Sequence, residues 1–113
     1  AIRIYDASSV LIANNHLSGT IGVALFNCSQ MEVRDNAIQA IWQGILLGQE
    51  AWDNTVQINS ILGVHQSGIA LEPDVTGNRV VANRVLCAPG ASCLTVDVWP
   101  EVAKYNTIEG NKP

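Results

Sequence analysis

Val33-Arg34-Asp35-Asn36-Ala37-Ile38 is one copy of a short word that returns along the whole chain: a small or branched apolar residue, two residues, Asn, one residue, then Ile, Leu or Val. The other copies run from Ile12 to Leu17, Val56 to Ile61, Val80 to Val85 and Ala103 to Ile108. Asn15, Asn36, Asn59, Asn83 and Asn106 therefore follow one another at steps of 21, 23, 24 and 23 residues. Self-similarity at a period of roughly 20–50 residues is the mark of an architecture in which each repeat buries its apolar side only by stacking on the next.

A second word precedes the later asparagines: Gly22-Val23-Ala24-Leu25, Gly44-Ile45-Leu46-Leu47 and Gly68-Ile69-Ala70-Leu71, with Ile2-Arg3-Ile4 at the same offset in the first repeat. Alternation with period two is the pattern of a strand with one face buried. Ile2, Ile4, Val23, Leu25, Ile45, Leu47, Ile69 and Leu71 are thus expected to line the interior in two columns. Each repeat reads as three short strands separated by turns, with successive repeats pairing in parallel at about 4.8 Å. Parallel crossovers are almost always right-handed. The expectation is an all-β, right-handed parallel β-helix of about five coils of 21–24 residues, forming one domain over residues 1–113. The recurrent Asn is expected at a left-handed corner, where Asn is tolerated, with its amide bonded to its counterparts in an axial ladder. Asn15, Asn36, Asn59, Asn83 and Asn106 are the five rungs of that ladder.

These words resemble those of the parallel β-helix repeat proteins of the pectate-lyase-like superfamily, over nearly the whole chain. The resemblance implies the fold and an extracellular or cell-surface setting. It does not choose an activity, because that superfamily spans polysaccharide lyases, glycoside hydrolases, epimerases, phage tailspikes and adhesins. The relatives that cut uronic polysaccharides carry charged residues outside the strand that matches the Gly-Ile-x-Leu word. Here the outward positions read Arg3, Ala24, Leu46, Ala70 and Leu94, mostly apolar. That is a contact surface for a loop, a sheet or a partner, and not a charged cleft.

The turn after that strand is polar. Asp6, Asn27, Gln49 and Asp97 read at matching offsets, with Glu50, Glu72 and Asp74 nearby. Asp6, Glu50, Glu72, Asp74 and Asp97 are the only local candidates for acid–base work on a glycan, or for holding Ca²⁺. Trp52 and Trp99 fall in the same turn region, where an exposed indole can stack on a sugar ring. Trp42 sits at the corner that His65 occupies one coil later. His16 and His65 lack a second His or Cys at ligand spacing, which argues against zinc.

The remaining features bound the function. Charged residues are only 14% of the chain and the net charge is −4, with six basic residues scattered from Arg3 to Lys112. Without a concentrated basic footprint, nucleic acid is not an expected partner. No apolar run approaches the roughly 20 residues of a membrane span. Cys87 and Cys93 flank a Pro/Gly turn and are read as a disulfide, which places the chain in an oxidising compartment. Cys28 is read as a buried small apolar residue. The chain opens on Ala1, which suggests a processed or trimmed start.

No capping helix is seen before Ile2 or after Ile108, and Asn106 to Asn15 of a second copy would span one coil length. The sequence thus reads as a segment of a longer helix or a head-to-tail self-stacking filament subunit. The expected function is a structural segment, or one binding a polysaccharide or protein surface, in an extracellular β-helix protein. The enzymatic alternative is a lyase, hydrolase or epimerase with active residues partly outside this chain.

Overall fold

Val, Ile and Leu at alternate positions can be kept from water only if the strands wrap round and face one another. The computed structural model describes residues 1–113 as a right-handed parallel β-solenoid. Its strands are β1 Ile2–Tyr5, β2 Leu11–Ala13, β3 His16–Phe26, β4 Glu32–Arg34, β5 Ala37–Gly48, β6 Thr55–Gln57, β7 Ser60–Val64, β8 Ser67–Leu71, β9 Arg79–Val81, β10 Arg84–Cys87, β11 Leu94–Asp97 and β12 Thr107–Glu109. One sheet runs β1-β3-β5-β7-β10, with β8 joining β5 and β11, and the other runs β12-β9-β6-β4-β2. All pairings are parallel.

The register stacks like on like. Ile2, Val23, Ile45, Ile69 and Val96 form one column, and Ile4, Leu25 and Leu47 lead to Leu71 in a second. A third column, Ile12, Val33, Val56, Val80 and Ile108, faces them from the other sheet. Most of these side chains are fully buried in one continuous core. The word-initial glycines are needed for close approach. A Cβ on Gly22, Gly44 or Gly68 would lie 2.6–2.9 Å from the carbonyl oxygen of Gly44, Gly68 or Thr95 in the next coil. It would also strike Ile38, Ile61 or Val85.

The asparagines close the accounting of buried polar groups. Nδ2 of Asn15, Asn36, Asn59 and Asn83 donates to Oδ1 of Asn36, Asn59, Asn83 and Asn111 at 2.9–3.0 Å. Each of those oxygens also accepts the backbone N–H of the rung before it, at 3.0–3.1 Å. From Asn36 on, Nδ2 also reaches back to a carbonyl, those of Ile12, Val33, Val56 and Val80 in turn. Buried amides are tolerable when satisfied in this way.

Three expectations need correction. Asn106 is not the rung below Asn83; Asn111 is. Asn106 ends a second ladder, Asn54 to Asn78 to Asn106, whose first oxygen accepts the N–H of Met31. The cause lies mainly in the turn between β10 and β11: the register steps by 24 residues at Arg84 and by 27 at Leu94. The turn carrying the one-turn helix α1 Pro100–Ala103, with Val102 buried, adds one more. Together the two turns lengthen the coil from Asn83 to Asn111 to 28 residues, beyond the expected range. The second correction concerns the corner. The left-handed residue is the one before each laddered Asn: Asn14, Asp35, Ile58, Ala82 and Gly110, at φ 55–66°. The laddered asparagines are not left-handed. Their backbone N–H and side-chain amide must both point along the axis, so the sharp turn is made one residue earlier.

The third correction concerns the outer face of the Gly-Ile-x-Leu strands. Ala70 stands opposite Asp97, and Leu94 stands opposite Ser67. The turn between β10 and β11, closed by the Cys87–Cys93 disulfide, holds extra residues and displaces the register by three. The outer row is therefore Arg3, Ala24, Leu46, Ala70 and Asp97. Ala24 and Ala70 are themselves buried under their larger neighbours, so the expected apolar contact surface is narrower than the sequence suggests.

Candidate ligand-binding face

Beside that row lies a second outer row, one step toward the turn. Tyr5 pairs with Phe26 and Phe26 with Gly48. The Tyr5 and Phe26 rings stack at 4.9 Å and 19°, and the Arg3 guanidinium lies 6.0 Å over the Phe26 ring. The Glu72 carboxylate and the Phe26 ring close over Gly48 from either side, where a Cβ would meet them at 2.7 and 3.1 Å. The pairing ends at Asp97–Ala70; continued two residues past it, the same register would set Trp99, at the N-cap of α1, beside Glu72. Tyr5 and Trp99 are 51% and 61% exposed, one at each end of that extended line. Four coil steps of about 4.8 Å separate those ends by roughly 19 Å.

The turn that follows forms the third row. Asp6, Asn27 and Gln49 succeed Tyr5, Phe26 and Gly48, and all three are left-handed at φ 48–56°, as is Glu50. Together with Asp74 they line a shallow groove of about 370 Å³ with no apolar residue in its wall. Asn27 Nδ2 donates to Asp6 Oδ1 at 2.8 Å, and the Gln49 backbone N–H donates to Glu72 Oε1 at 3.0 Å. These two bonds orient the carboxylates while leaving oxygen lone pairs free toward solvent.

The structure thus gathers Asp6, Glu50 and Asp74 in one groove and sets Glu72 on its border. Asp97, read at the offset of Gln49, lies on the outer face beside Ala70 instead. Trp52 and Trp99 lie in equivalent turns of different coils, between β5 and β6 and between β11 and β12. Trp52 stands in the row Ser8, Ser29, Trp52 and Thr76 beyond the groove, 42% exposed. Sequence reasoning missed Tyr5 and Phe26, although both follow the inward residues Ile4 and Leu25 at one coil's spacing. Away from this face, the Arg34 guanidinium donates to Asp35 Oδ2 at 2.9 Å, and that bond, with the nearby charges of Glu32 and Asp35, raises its pKa above the ordinary value.

A family model described as periplasmic copper-binding protein (NosD) matches residues 1–112. The chain belongs to the NosD family. No curated protein and no solved structure matched it. The NosD match agrees with the parallel β-helix and leaves the specific likeness to pectate lyases without support. The family's description raises copper, and the donors of this chain do not fit it. No three His, Cys, Asp or Glu side chains come together in a group that could hold a metal ion. That applies equally to the Ca²⁺ considered for the turn carboxylates. Cys87 and Cys93 are joined to each other, and no helix is long and apolar enough to cross a membrane.

Proposed function

We propose that this chain is a stretch of a periplasmic or cell-surface β-helix that binds a glycan along the Tyr5–Trp99 row. The observation carrying this reading is the stacked Tyr5 and Phe26 pair beside the groove of Asp6, Asn27, Gln49, Glu50 and Asp74, with the exposed Trp99 on the continuation of the same register. A sugar offers apolar C–H faces to the rings and hydroxyl donors to oxygens such as those of Asp6, Glu50 and Asp74. The strip is long and open, which suits an extended chain better than a small molecule held in a cavity. The oxidised Cys87–Cys93 pair and the family description support the compartment.

Affinity electrophoresis in gels containing neutral, cationic or uronic glycans tests the reading. The protein is expected to be retarded by at least one glycan class. Trp99→Ala is expected to weaken that binding about tenfold, equivalent to one aromatic contact of roughly 1.4 kcal/mol. Trp42→Ala, far from the strip, leaves it unchanged. Free migration through every gel overturns the proposal.

A further inference from the structure

We infer that copper binding, the property in the family's description, is not carried by this stretch of solenoid, which contributes frame and not donors. Copper sites are built from imidazole, thiolate and thioether groups. The chain holds few of these, and the fold separates them. Cys28 is completely buried, and its thiol lies 3.5 and 3.4 Å from the carbonyl oxygens of Ile4 and Phe26. Met31 is 1% exposed in the same core. A metal reaching either sulfur would have to part adjacent coils and break their ladder bonds.

The two imidazoles are outside but apart. His16 begins β3 in the row of Ala37 and Ser60. His65 lies five residues beyond Ser60, with Nδ1 3.0 Å from the Ile41 carbonyl oxygen. Five extended residues span roughly 16 Å, whereas metal–imidazole bonds are about 2 Å long. The two cannot share an ion. Ser18, Gln39 and Ser60 lie near His16, and the Ile41 and Trp42 carbonyls pair with the His65–Gln66 corner; none of these residues offers a soft donor.

The frame itself is suited to a site. Ala37 and Ser60 are exposed and follow His16 on successive coils, so Ala37→His with Ser60→His would place three imidazoles about 4.8 Å apart. The test uses the whole 113-residue chain with its disulfide intact. Cu(II) retention is read by electron paramagnetic resonance after passage over a chelating resin, and Cu(I) by competition with bicinchoninate. The parent is expected to yield all its copper to both competitors. The double variant, checked for an unchanged circular dichroism spectrum, is expected to retain Cu(II) at least tenfold better. One equivalent held by the parent, lost in His16→Ala, His65→Ala or Cys28→Ser, overturns the inference. So does a folded double variant that holds no more than the parent, because donor placement would then not be what the parent lacks.

Discussion

Replacing Asn59 with Ala removes the middle rung of the longer ladder, and the structure sets the cost. Asn59 Oδ1 accepts from the Asn36 backbone N–H at 3.1 Å and from Asn36 Nδ2 at 3.0 Å. Its own Nδ2 has the Val33 carbonyl, the Gln57 carbonyl and Asn83 Oδ1 within 2.9–3.2 Å. Without the side chain, the buried Asn36 N–H is left without its acceptor, which costs about 1–3 kcal/mol. Loss of the remaining bonds adds about 0.5–1.5 kcal/mol for each, giving about 4 kcal/mol overall. Asn15→Ala is the internal control. Asn36 Oδ1 keeps the Asn15 backbone N–H at 3.0 Å, no buried group is orphaned, and the loss is about 1 kcal/mol. Urea denaturation followed by circular dichroism gives both values from the midpoint shift at constant slope. Equal shifts for the two variants, or a loss below about 1 kcal/mol for Asn59→Ala, would refute the claim that buried amide satisfaction holds the coils in register.

Two further outcomes follow from backbone and packing. Ile58 is left-handed at φ 55° and 57% exposed, so Ile58→Gly relieves a conformation that costs a β-branched residue about 1–2 kcal/mol. The melting temperature should rise, and a fall would mean that Ile58 makes contacts outweighing its strain. Gly44→Ala drives a methyl group against the Gly68 carbonyl oxygen at 2.7 Å and into Ile61. It should destabilise by about 1–3 kcal/mol in the same urea assay, and neutrality would show that the coils can spread there.

The candidate face was only partly legible beforehand. The acidic turn residues could be named from offsets, but the offsets drifted by three after Cys87, and Asp97 lies in the outer row with Ala70 instead of the turn row with Gln49. The second ladder was within reach of the sequence, since Asn54, Asn78 and Asn106 each precede a rung of the first by five residues. The aromatic row was not singled out, because Tyr5 and Phe26 face outward, and outward residues obey no burial pattern.

The sequence alone determined the solenoid. Burying an aliphatic side chain is a local demand that repeats once per coil, so periodicity and alternation carry it without knowledge of neighbours. The tertiary structure decided what lies opposite what: which Asn continues which ladder past the Cys87–Cys93 turn and α1, which residue before it makes the sharp turn, and how Asp97 comes level with Ala70. Those outcomes depend on the summed length of every turn and insertion between two coils. One displaced residue in that sum changes the face a side chain occupies, and no single stretch of sequence records the sum.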